Sequence, residues 1–527
     1  MIDLASKTPW GRHVCAAAAL MAMAQVADAA TWTRLTNAPS GTVETMMLLT
    51  DGTVLAHSQD LPGSIWRKLT PAANGSYIDG TWTNMARMNT GRVYFASHVT
   101  PDGNVWVLGG EYSGPNLDAT WINTGETYDT LANTWTPFPH HPESNYGDVP
   151  SMLLNGNKIL AGSLSNPTSF IYDLKKKTWA STGSKIYSDE SSDEETWVKL
   201  PDGKVLTHDL FHSISASGAY AEAYDPKTKA WTSRSPSDGG ATGTIPALSS
   251  QFLGYETGPA LTLRSADGRG KVFFIGATGH TAMYEVGTNN WLAGPDIMGT
   301  VNGKKILFGA DDAPAAELPS GHIVLAADAA PTKGTFAAPT QLFDYDPVAN
   351  TINPIVPDFP VIMNQAAYTT HMLILPTGQV MFNYGGGDVW VYTPDGDAPK
   401  KAKPLPQTLH YDGAGKFTLT GLRMNGVSAG SGYGDDAESD ENYPIVSFTA
   451  GSTVRYARTH DWDNTGVQLK RPSTVKLTLK AGTPAGVSKL VVSGAGVQSL
   501  PLCVTLTADQ VAGTGAPADV PIGSCAQ

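Results

Sequence analysis

Residues 97–110, SHVTPDGNVWVLGG, contain an apolar strand, a Pro-Asp-Gly turn and a second apolar strand that ends in two glycines. The same order of strand, glycine turn and strand recurs along the chain at steps of about fifty residues. Seven copies are found, with turn glycines at Gly52, Gly103, Gly156, Gly203, Gly268, Gly321 and Gly378. Repeats of this length, built from short strands and tight turns, are typical of four-stranded propeller blades.

Most of these repeats continue with an aromatic-acid pair and then a tryptophan. TYDTLANTW, IYDLKKKTW, AYDPKTKAW and MYEVGTNNW end at Trp135, Trp179, Trp231 and Trp291, whereas DYDPVANTI ends at Ile352. The seventh repeat lacks such an ending, and Trp32 in TWTRL precedes the first repeat. We predict that this N-terminal strand completes the seventh blade, because ring closure removes an exposed sheet edge.

The blade signals stop at about residue 403. The segments GKFTLTGLRMNG, STVRYARTH and STVKLTLKA alternate polar and apolar residues without the repeat turns, a pattern that favours a β-sandwich. The sequence therefore predicts an all-β protein, with a seven-bladed propeller over residues 30–402 and a sandwich over residues 403–527.

The N-terminus has the features of an export signal. Lys7 and Arg12 precede the apolar run VCAAAALMAMAQVA, and the small-residue sequence ADA at 27–29 offers a cleavage site. We predict a signal peptide over residues 1–29, with a buried N-terminal helix as the alternative. The apolar run is too short for a comfortable membrane span, and no later segment is a candidate. We therefore expect a secreted or periplasmic monomer.

Charge and cysteine content narrow the class of partner. The net charge of −13 argues against nucleic acid or an anionic membrane as a partner, since both require basic patches.

Two cysteines follow the predicted signal, Cys503 and Cys525. In an oxidising compartment they are expected to form one disulfide, with two free thiols as the alternative.

The glycine-rich repeats, with GG after the second strand and a YD…W ending, resemble kelch repeats. A kelch propeller followed by an immunoglobulin-like domain resembles the galactose oxidase and glyoxal oxidase family of copper-radical oxidases. YPIVSFTAGSTVRYARTHDW and PAGVSKLVVSGAGVQS are similar to the last domain of that family. The resemblance implies a seven-bladed kelch-type β-propeller followed by an immunoglobulin-like (early-set) β-sandwich.

The resemblance also implies positions for a copper site. Tyr94 matches the radical-forming tyrosine, Tyr368 matches the axial tyrosine, and His460 matches a histidine that the sandwich delivers into the channel. Thr369 stands where the family has a second histidine, and GTVETMMLLTDG, with Glu44, lacks the cysteine that stabilises the radical. Because imidazole is the ligand type that suits Cu(II), we expect an incomplete copper site.

The predicted blade-opening strands carry a second repetition. Five blades place a carboxylate near the start of this strand and the other two place a phenol there: Glu44, Asp148, Glu195, Glu256, Asp312, Tyr94 and Tyr368. We predict that these residues form a ring at the channel mouth, capped by His460. Close carboxylates need a bound cation, protonation or neutralising amides. The alternatives are therefore a site for a cation or cationic substrate, or separate caps of neighbouring turns.

Two functional hypotheses follow from this ring. The first is an enzyme of non-redox acid–base chemistry on a neutral or cationic small molecule or glycan, with Tyr94, Tyr368 and His460 as acid–base or orienting groups. The second is a non-catalytic protein that binds a sugar, an amine or an ion. A copper-radical oxidase of alcohols or aldehydes is the alternative that the resemblance adds. The cofactor is unknown; copper is not expected, whereas calcium or another divalent cation suits the acids.

Other polar segments are assigned simpler roles. The acidic stretches 188–195 and 432–444 are interpreted as solvated loops, since the latter lacks EF-hand spacing. Asp209 and His212 occur without the G-x-S-x-G elbow of a serine hydrolase. His98 and His371 lie within predicted strands and are expected to be core histidines.

Overall fold

The computed structural model describes residues 30–187, 191–216, 218–264, 270–330, 336–433, 442–467 and 471–525. The predicted signal peptide, the turn at Gly268, and parts of the acidic stretches 188–195 and 432–444 lie outside these residues. Within the described part of the chain, no helix is both long and apolar enough to cross a membrane.

The first three repeats form three antiparallel sheets. The N-terminal strand β1 (Thr31–Arg34) precedes these repeats and belongs to the last sheet. The strands of the first three repeats are β2 (Met46–Leu48), β3 (Val54–Ser58), β4 (Ile65–Thr70), β5 (Thr81–Asn84), β6 (Arg92–Val93), β7 (Ala96–Val99), β8 (Val105–Leu108), β9 (Tyr112–Ser113), β10 (Asp118–Ala119), β11 (Gly125–Asp129), β12 (Thr134–Phe138), β13 (Ser151–Leu154), β14 (Lys158–Ala161), β15 (Thr168–Asp173) and β16 (Thr178–Ser184). Sheet 1 contains β2–β5, sheet 2 contains β7, β8, β11 and β12, and sheet 3 contains β13–β16. β6, β9 and β10 form a small separate sheet.

The next three repeats continue this order. Their elements are β17 (Thr196–Lys199), β18 (Val205–Asp209), α1 (Leu210–Ser215), β19 (Tyr220–Asp225), β20 (Ala230–Ser233), β21 (Thr242–Gly243), β22 (Ala260–Leu263), β23 (Lys271–Ile275), β24 (Thr281–Glu285), β25 (Asn290–Ala293), β26 (Met298–Val301), β27 (Lys304–Gly309), β28 (Ala315–Glu317), β29 (Ile323–Ala329), β30 (Thr340–Asp346) and β31 (Thr351–Pro354). Sheet 4 is built on β17–β20, sheet 5 on β21–β25 and sheet 6 on β26–β31.

Sheet 7 joins the two ends of the propeller. A 3₁₀ turn at Ala367–Thr369 leads into β32 (His371–Ile374), β33 (Val380–Asn383) and β34 (Val389–Thr393). β1 pairs antiparallel with β34, which places Trp32 opposite Tyr392. The Trp32 ring also packs edge-on against Phe359, with ring centroids 4.8 Å apart. The predicted closure by the N-terminal strand is therefore confirmed.

Where a repeat ends in the aromatic-acid pair and tryptophan, this ending is a hairpin that contacts the neighbouring sheet. Tyr128 pairs with Trp135 across β11 and β12, and their ring centroids are 4.9 Å apart. The indole Nε1 of Trp135 donates to the carbonyl oxygen of Ala86, just beyond sheet 1, at 2.9 Å. Trp291 donates in the same way to Arg234, just beyond sheet 4, at 2.7 Å. The tryptophan thus buries apolar surface and satisfies its N–H group at the same time.

The first strand of each repeat lies on the inside of the ring. These inner strands are β2, β7, β13, β17, β22, β28 and β32. β7 contacts β13, β13 contacts β17, β17 contacts β22, and β32 contacts both β28 and β2. The fold is therefore a β-propeller whose inner strands surround a channel. At one end of the channel the strands begin, and at the other end they run into their glycine turns.

The C-terminal β-sandwich covers the turn end. Its elements are β35 (Leu405–Gly413), β36 (Lys416–Leu422), β37 (Ser431–Tyr433), β38 (Ile445–Ala450), β39 (Thr453–His460), β40 (Ser473–Thr478), β41 (Gly486–Gly494), β42 (Val497–Gln498), β43 (Leu502–Leu506), α2 (Ala508–Ala512), β44 (Ala518–Val520) and β45 (Ile522–Ser524). Leu419 of β36 and Leu477 of β40 pack in the same core as Phe448 of β38 and Leu490 of β41. Cys503 and Cys525 are bonded, with Cα atoms 4.8 Å apart, so the predicted disulfide is confirmed.

One segment of the sandwich enters the propeller. After β36 the chain crosses to sheet 4, where β37 pairs antiparallel with the inner strand β17. Ala429 forms a bridge with Thr262 of β22. Ser428, Ala429 and Gly430 thereby lie against the inner strands β22, β28 and β32. An inserted loop was expected, but this loop is residues 423–433 and not the segment that carries His460.

Candidate functional site

A cavity of about 400 Å³ opens where the inner strands begin, and we call it the acidic funnel. It is lined by five carboxyl groups, those of Glu111, Asp148, Glu194, Glu256 and Asp312, and by three phenols. The lining also includes Gln59, Val93, Leu117 and Phe336. The phenols are Tyr94, Tyr112 and Tyr368. The structure thus brings together five of the eight residues predicted for the site: Tyr94, Tyr368, Asp148, Glu256 and Asp312.

Four funnel residues share an unusual backbone conformation. Tyr94, Asp148, Glu194 and Asp312 have φ angles of 53°, 54°, 55° and 52°. Each stands two or three residues before an inner strand, namely β7, β13, β17 and β28. A non-glycine residue in the left-handed region costs on the order of 1–3 kcal/mol and tends to occur at functional sites. The same conformation at equivalent places directs all four side chains to one cavity.

The carboxylates are close enough to share protons. One oxygen from each of Asp148, Asp193 and Glu194 lies within 4.8 Å of the other two. Burial, together with the negative charges of Glu256 and its neighbours, raises the pKa of Glu194 well above its usual value. Burial and then Glu111 raise the pKa of Asp193 to about 7. Burial and mutual repulsion therefore favour protonation within this cluster.

Aromatic groups form the rest of the wall. The Trp121 indole donates to Asp148 Oδ2 at 3.2 Å. Tyr94 meets Tyr112 edge-on at 5.9 Å, and Tyr368 packs against Phe336 at 4.7 Å. The charge of Glu111, followed by burial, raises the pKa of Tyr112, so this phenol stays protonated at neutral pH. The wall offers ring faces and hydroxyl groups around a negative centre.

Glu195 does not belong to the funnel, and its prediction was wrong by one residue. Its fully buried side chain contacts the Lys185 ammonium, whose Nζ lies 2.7 Å from Asp209 Oδ2 and 3.6 Å from Glu222 Oε1. Successive side chains point to opposite sides of an extended chain, so Glu194 takes the funnel position. Counting two residues back from β17, as Tyr94 stands before β7, would have selected Glu194.

Glu44 is also misplaced by the prediction. Its buried carboxylate lies 3.8 Å from His371 Nδ1, between sheets 1 and 7. Gln59, which follows β3, is the residue of sheet 1 that lines the funnel. β2 begins only at Met46. The residues just before it are hydrogen-bonded to β3, since His57 N donates to Thr45 O at 2.8 Å. His371 is buried, and His98 is buried and bonded to Ser151 at 2.7 Å, as expected of core histidines.

His460 lies at the opposite end of the channel, and its predicted convergence with Tyr94 is wrong. Thr459 N donates to Thr50 O, and Asp461 N donates to Pro101 O. Thr50 and Pro101 belong to glycine turns, whereas Tyr94 precedes the inner strand β7 that leads to Pro101. The His460 ring contacts Asp461 at 2.9 Å and Thr478 at 3.2 Å. It therefore belongs to the interface between sandwich and propeller.

The donors of the funnel do not fit a copper-radical cofactor. Among the described residues that line the funnel, Tyr94 and Tyr368 are accompanied by carboxylates, and no imidazole or thiol is present. Thr369 has its hydroxyl bonded to Gln365 and Ala366, at 2.7 and 2.9 Å. Oxygen donors of this kind suit hard cations, whereas Cu(II) is favoured by imidazole.

Comparison with known proteins gives limited similarity. No protein-family model matches the chain. A stretch of 140 residues, 25% of this chain, is 29% identical to an F-box/kelch-repeat protein of Arabidopsis thaliana. That match spans 32% of the plant protein, so this chain covers about a third of the relative's length. The kelch-like character of the repeats is thus visible in sequence comparison as well.

A solved structure covers more of the chain at lower similarity. It is a fungal alcohol oxidase of the AA5 family in complex with copper. The alignment covers 92% of this chain and 100% of that chain, with 14% identity and a TM-score of 0.49.

Proposed function

We propose that this protein is an exported enzyme that performs non-redox acid–base chemistry in the acidic funnel. The observation that carries the proposal is Glu194, whose carboxyl group lines an open cavity among other carboxylates, where burial raises its pKa well above the usual value. A carboxylic acid with a raised pKa is the group that enzymes use as a proton donor near pH 7. The disulfide between Cys503 and Cys525 suits an oxidising compartment and supports export.

Glu194 and Asp148 can divide the acid and base roles. Their oxygens lie within 4.8 Å of one another and of Asp193, so the three groups cannot all be ionised without a large electrostatic cost. Glu194 donates the proton. Asp148, whose Oδ2 accepts a hydrogen bond from Trp121, is oriented as the acceptor. The neighbouring phenols, Tyr94 and Tyr368, orient substrate hydroxyl groups.

The lining selects the class of substrate. Five carboxyl groups repel anions, and the phenols with Phe336 offer ring faces to a sugar or an ammonium group. A cavity of about 400 Å³ is within the size range of small-molecule sites. We therefore propose a neutral or cationic small molecule or a short glycan as substrate.

Binding of a divalent cation is the second candidate. It is favoured by the same triplet of oxygens from Asp148, Asp193 and Glu194, which can approach a single ion. Calcium or another hard cation matches an all-oxygen site. A bound cation would lower the pKa values that burial raises, which separates this candidate from the first.

Purified mature protein, with and without EDTA, is to be incubated with neutral sugars, glycosides, amino sugars and amines. Products are detected by mass spectrometry, and oxygen uptake is measured in parallel. We expect turnover of one compound without oxygen uptake. Glu194→Gln should lower that turnover at least about 100-fold, whereas the exposed control Asp358→Asn should retain it. Oxygen uptake that depends on copper would contradict the proposal and indicate a copper-radical oxidase instead. Binding without turnover of any compound would favour a binding protein.

A further inference from the structure

A second cavity lies at the other end of the propeller, between the turns of sheets 1 and 2 and the sandwich. Its volume is about 240 Å³. Asp51, Lys68 and Tyr128 line it from the propeller, and Arg458 with Lys480 lines it from the sandwich. We call it the interdomain cavity. It shares none of its lining residues with the acidic funnel.

The charge of this cavity is opposite to that of the whole protein. Lys68, Arg458 and Lys480 face it together with one carboxylate, Asp51. Asp51 is paired with Lys480 at 2.5 Å, which leaves Lys68 and Arg458 as uncompensated charges. Among the described residues, Lys68 has no ion pair. A chain of net charge −13 thus concentrates positive charge in one small, partly enclosed space, where a low dielectric strengthens attraction for an anion.

Arg458 is held in place but keeps free hydrogen-bonding capacity. Its Nη2 donates to the carbonyl oxygen of Asp102, and its guanidinium packs over Gly103, where a Cβ atom would lie 2.7 Å from Nη2. Its Nε is buried and donates to no acceptor in the described part of the structure. A guanidinium fixed in this way beside a cavity is suited to a carboxylate, with which it forms charge-assisted hydrogen bonds.

The other walls set the shape of the ligand. Leu49, Leu131 and Leu479 contribute apolar surface, and Tyr128 presents a ring whose hydroxyl is engaged by Asn133 at 2.9 Å. The volume is smaller than that of an ordinary drug-sized site. A ligand that satisfies both features has one anionic group and a short apolar body.

We propose that the interdomain cavity binds a small organic carboxylate, held by Arg458 and Lys68 and packed against Tyr128. Because its walls come from both domains, such a ligand binds the folded, docked arrangement and stabilises it by mass action. This site is independent of the chemistry proposed for the funnel.

Benzoate is the probe, and benzamide is its neutral, nearly isosteric control. Binding is to be measured by titration calorimetry and thermal unfolding at constant ionic strength. We expect benzoate to raise the unfolding temperature while benzamide does not. Lys68→Gln and Arg458→Gln should each weaken benzoate binding at least tenfold, and the exposed control Lys305→Gln should leave it unchanged.

Lys68→Gln keeps the test valid if Arg458→Gln disturbs the contact with Asp102. Equal benzoate affinity in wild type and Lys68→Gln would overturn the proposal. So would absence of benzoate binding by the wild type. Inorganic phosphate serves as a further arm, because tighter binding of phosphate than of benzoate would refute the carboxylate assignment.

Discussion

The two ends of the propeller channel use the same residue types for different purposes. At the turn end, Asp51 and Asp102 accept hydrogen bonds from backbone N–H groups two residues later, at 3.1 and 3.3 Å. At the other end, Asp148 and Asp312 occupy left-handed conformations and line the acidic funnel. Carboxylates at the turns thus stabilise the fold, whereas those at the strand starts are placed where a ligand can reach them.

A second difference concerns compensation of charge. Glu195 has the buried Lys185 beside it, but the adjacent Glu194 is surrounded by other carboxylates. The interdomain cavity, in contrast, has more cations than anions. A repeated architecture therefore produces an acidic end and a basic end, because the loops and the sandwich add different side chains to equivalent inner strands.

Of the substitutions considered, removal of the Lys185 ammonium should lower the free energy of unfolding the most. Lys185→Met leaves Glu195, Asp209 and Glu222 buried without their cation. Breaking a buried ion pair in this way costs about 3–5 kcal/mol, so we expect a matching loss in the free energy of unfolding, measured in urea. Lys305→Met, which removes an exposed lysine of β27, is the control. A loss below about 1 kcal/mol would show that the carboxyl groups simply take up protons instead.

Loss of the disulfide should destabilise the sandwich, which covers the turn end, and leave the propeller unchanged. Replacing Cys503 and Cys525 by serine opens a loop with a sequence separation of 22 residues and should lower stability by about 3 kcal/mol. Hydrogen exchange should increase in β43 and β45 and stay unchanged in β13–β16. Dithiothreitol should reproduce the change in wild type and add nothing to the variant. Equal exposure of both regions would mean that the two domains unfold as one unit.

Glu194→Gln should stabilise the protein at alkaline pH. Since the pKa of Glu194 is raised in the folded state, the folded protein binds a proton more tightly than the unfolded chain does. Its stability therefore falls as pH rises above the unfolded pKa of Glu, near 4.3. We expect the variant to gain at least about 1 kcal/mol at pH 8, the value of one pKa unit, and nothing at pH 4. Asp358→Asn is the control, and a loss of stability at pH 8 would contradict the assignment.

His460→Ala should have the smallest effect. The histidine contacts Asp461 and Thr478 at the turn end, where a partly exposed polar contact contributes less than about 1 kcal/mol. Ligand binding and turnover in the acidic funnel should not change, as measured with the substrate found in the mass-spectrometric screen. A large loss of turnover would contradict this prediction and would indicate that His460 acts at the funnel together with Tyr94.

Local patterns were sufficient for much of the fold. Turn glycines such as Gly103 and pairs such as Tyr128 with Trp135 act within a few residues, so their spacing reveals each hairpin. The pairing of Trp32 with the last sheet followed from the unfinished seventh repeat. For the site, the strand starts pointed to Tyr94, Asp148, Glu256, Asp312 and Tyr368, which do line the funnel.

The errors at the site arose where a small shift changes the direction of a side chain. Glu194 and Glu195 are neighbours of identical type, and the choice between them depends on a left-handed φ angle that no residue identity demanded. His460 was placed by resemblance, but hydrogen bonds to Thr50 and Pro101 put its strand over the turns. Glu111 and Phe336 come from loops whose approach to the funnel leaves no periodic signal.

The sequence by itself determined the all-β character, the repeated hairpins, the closing N-terminal strand and the cysteine pair, since each depends on short-range patterning or on simple counting. Only the tertiary structure decided which carboxylates meet, which one is paired with Lys185, and which cations gather around Arg458. Those features depend on distances between residues far apart in the chain, and electrostatic energies change steeply over a few ångströms.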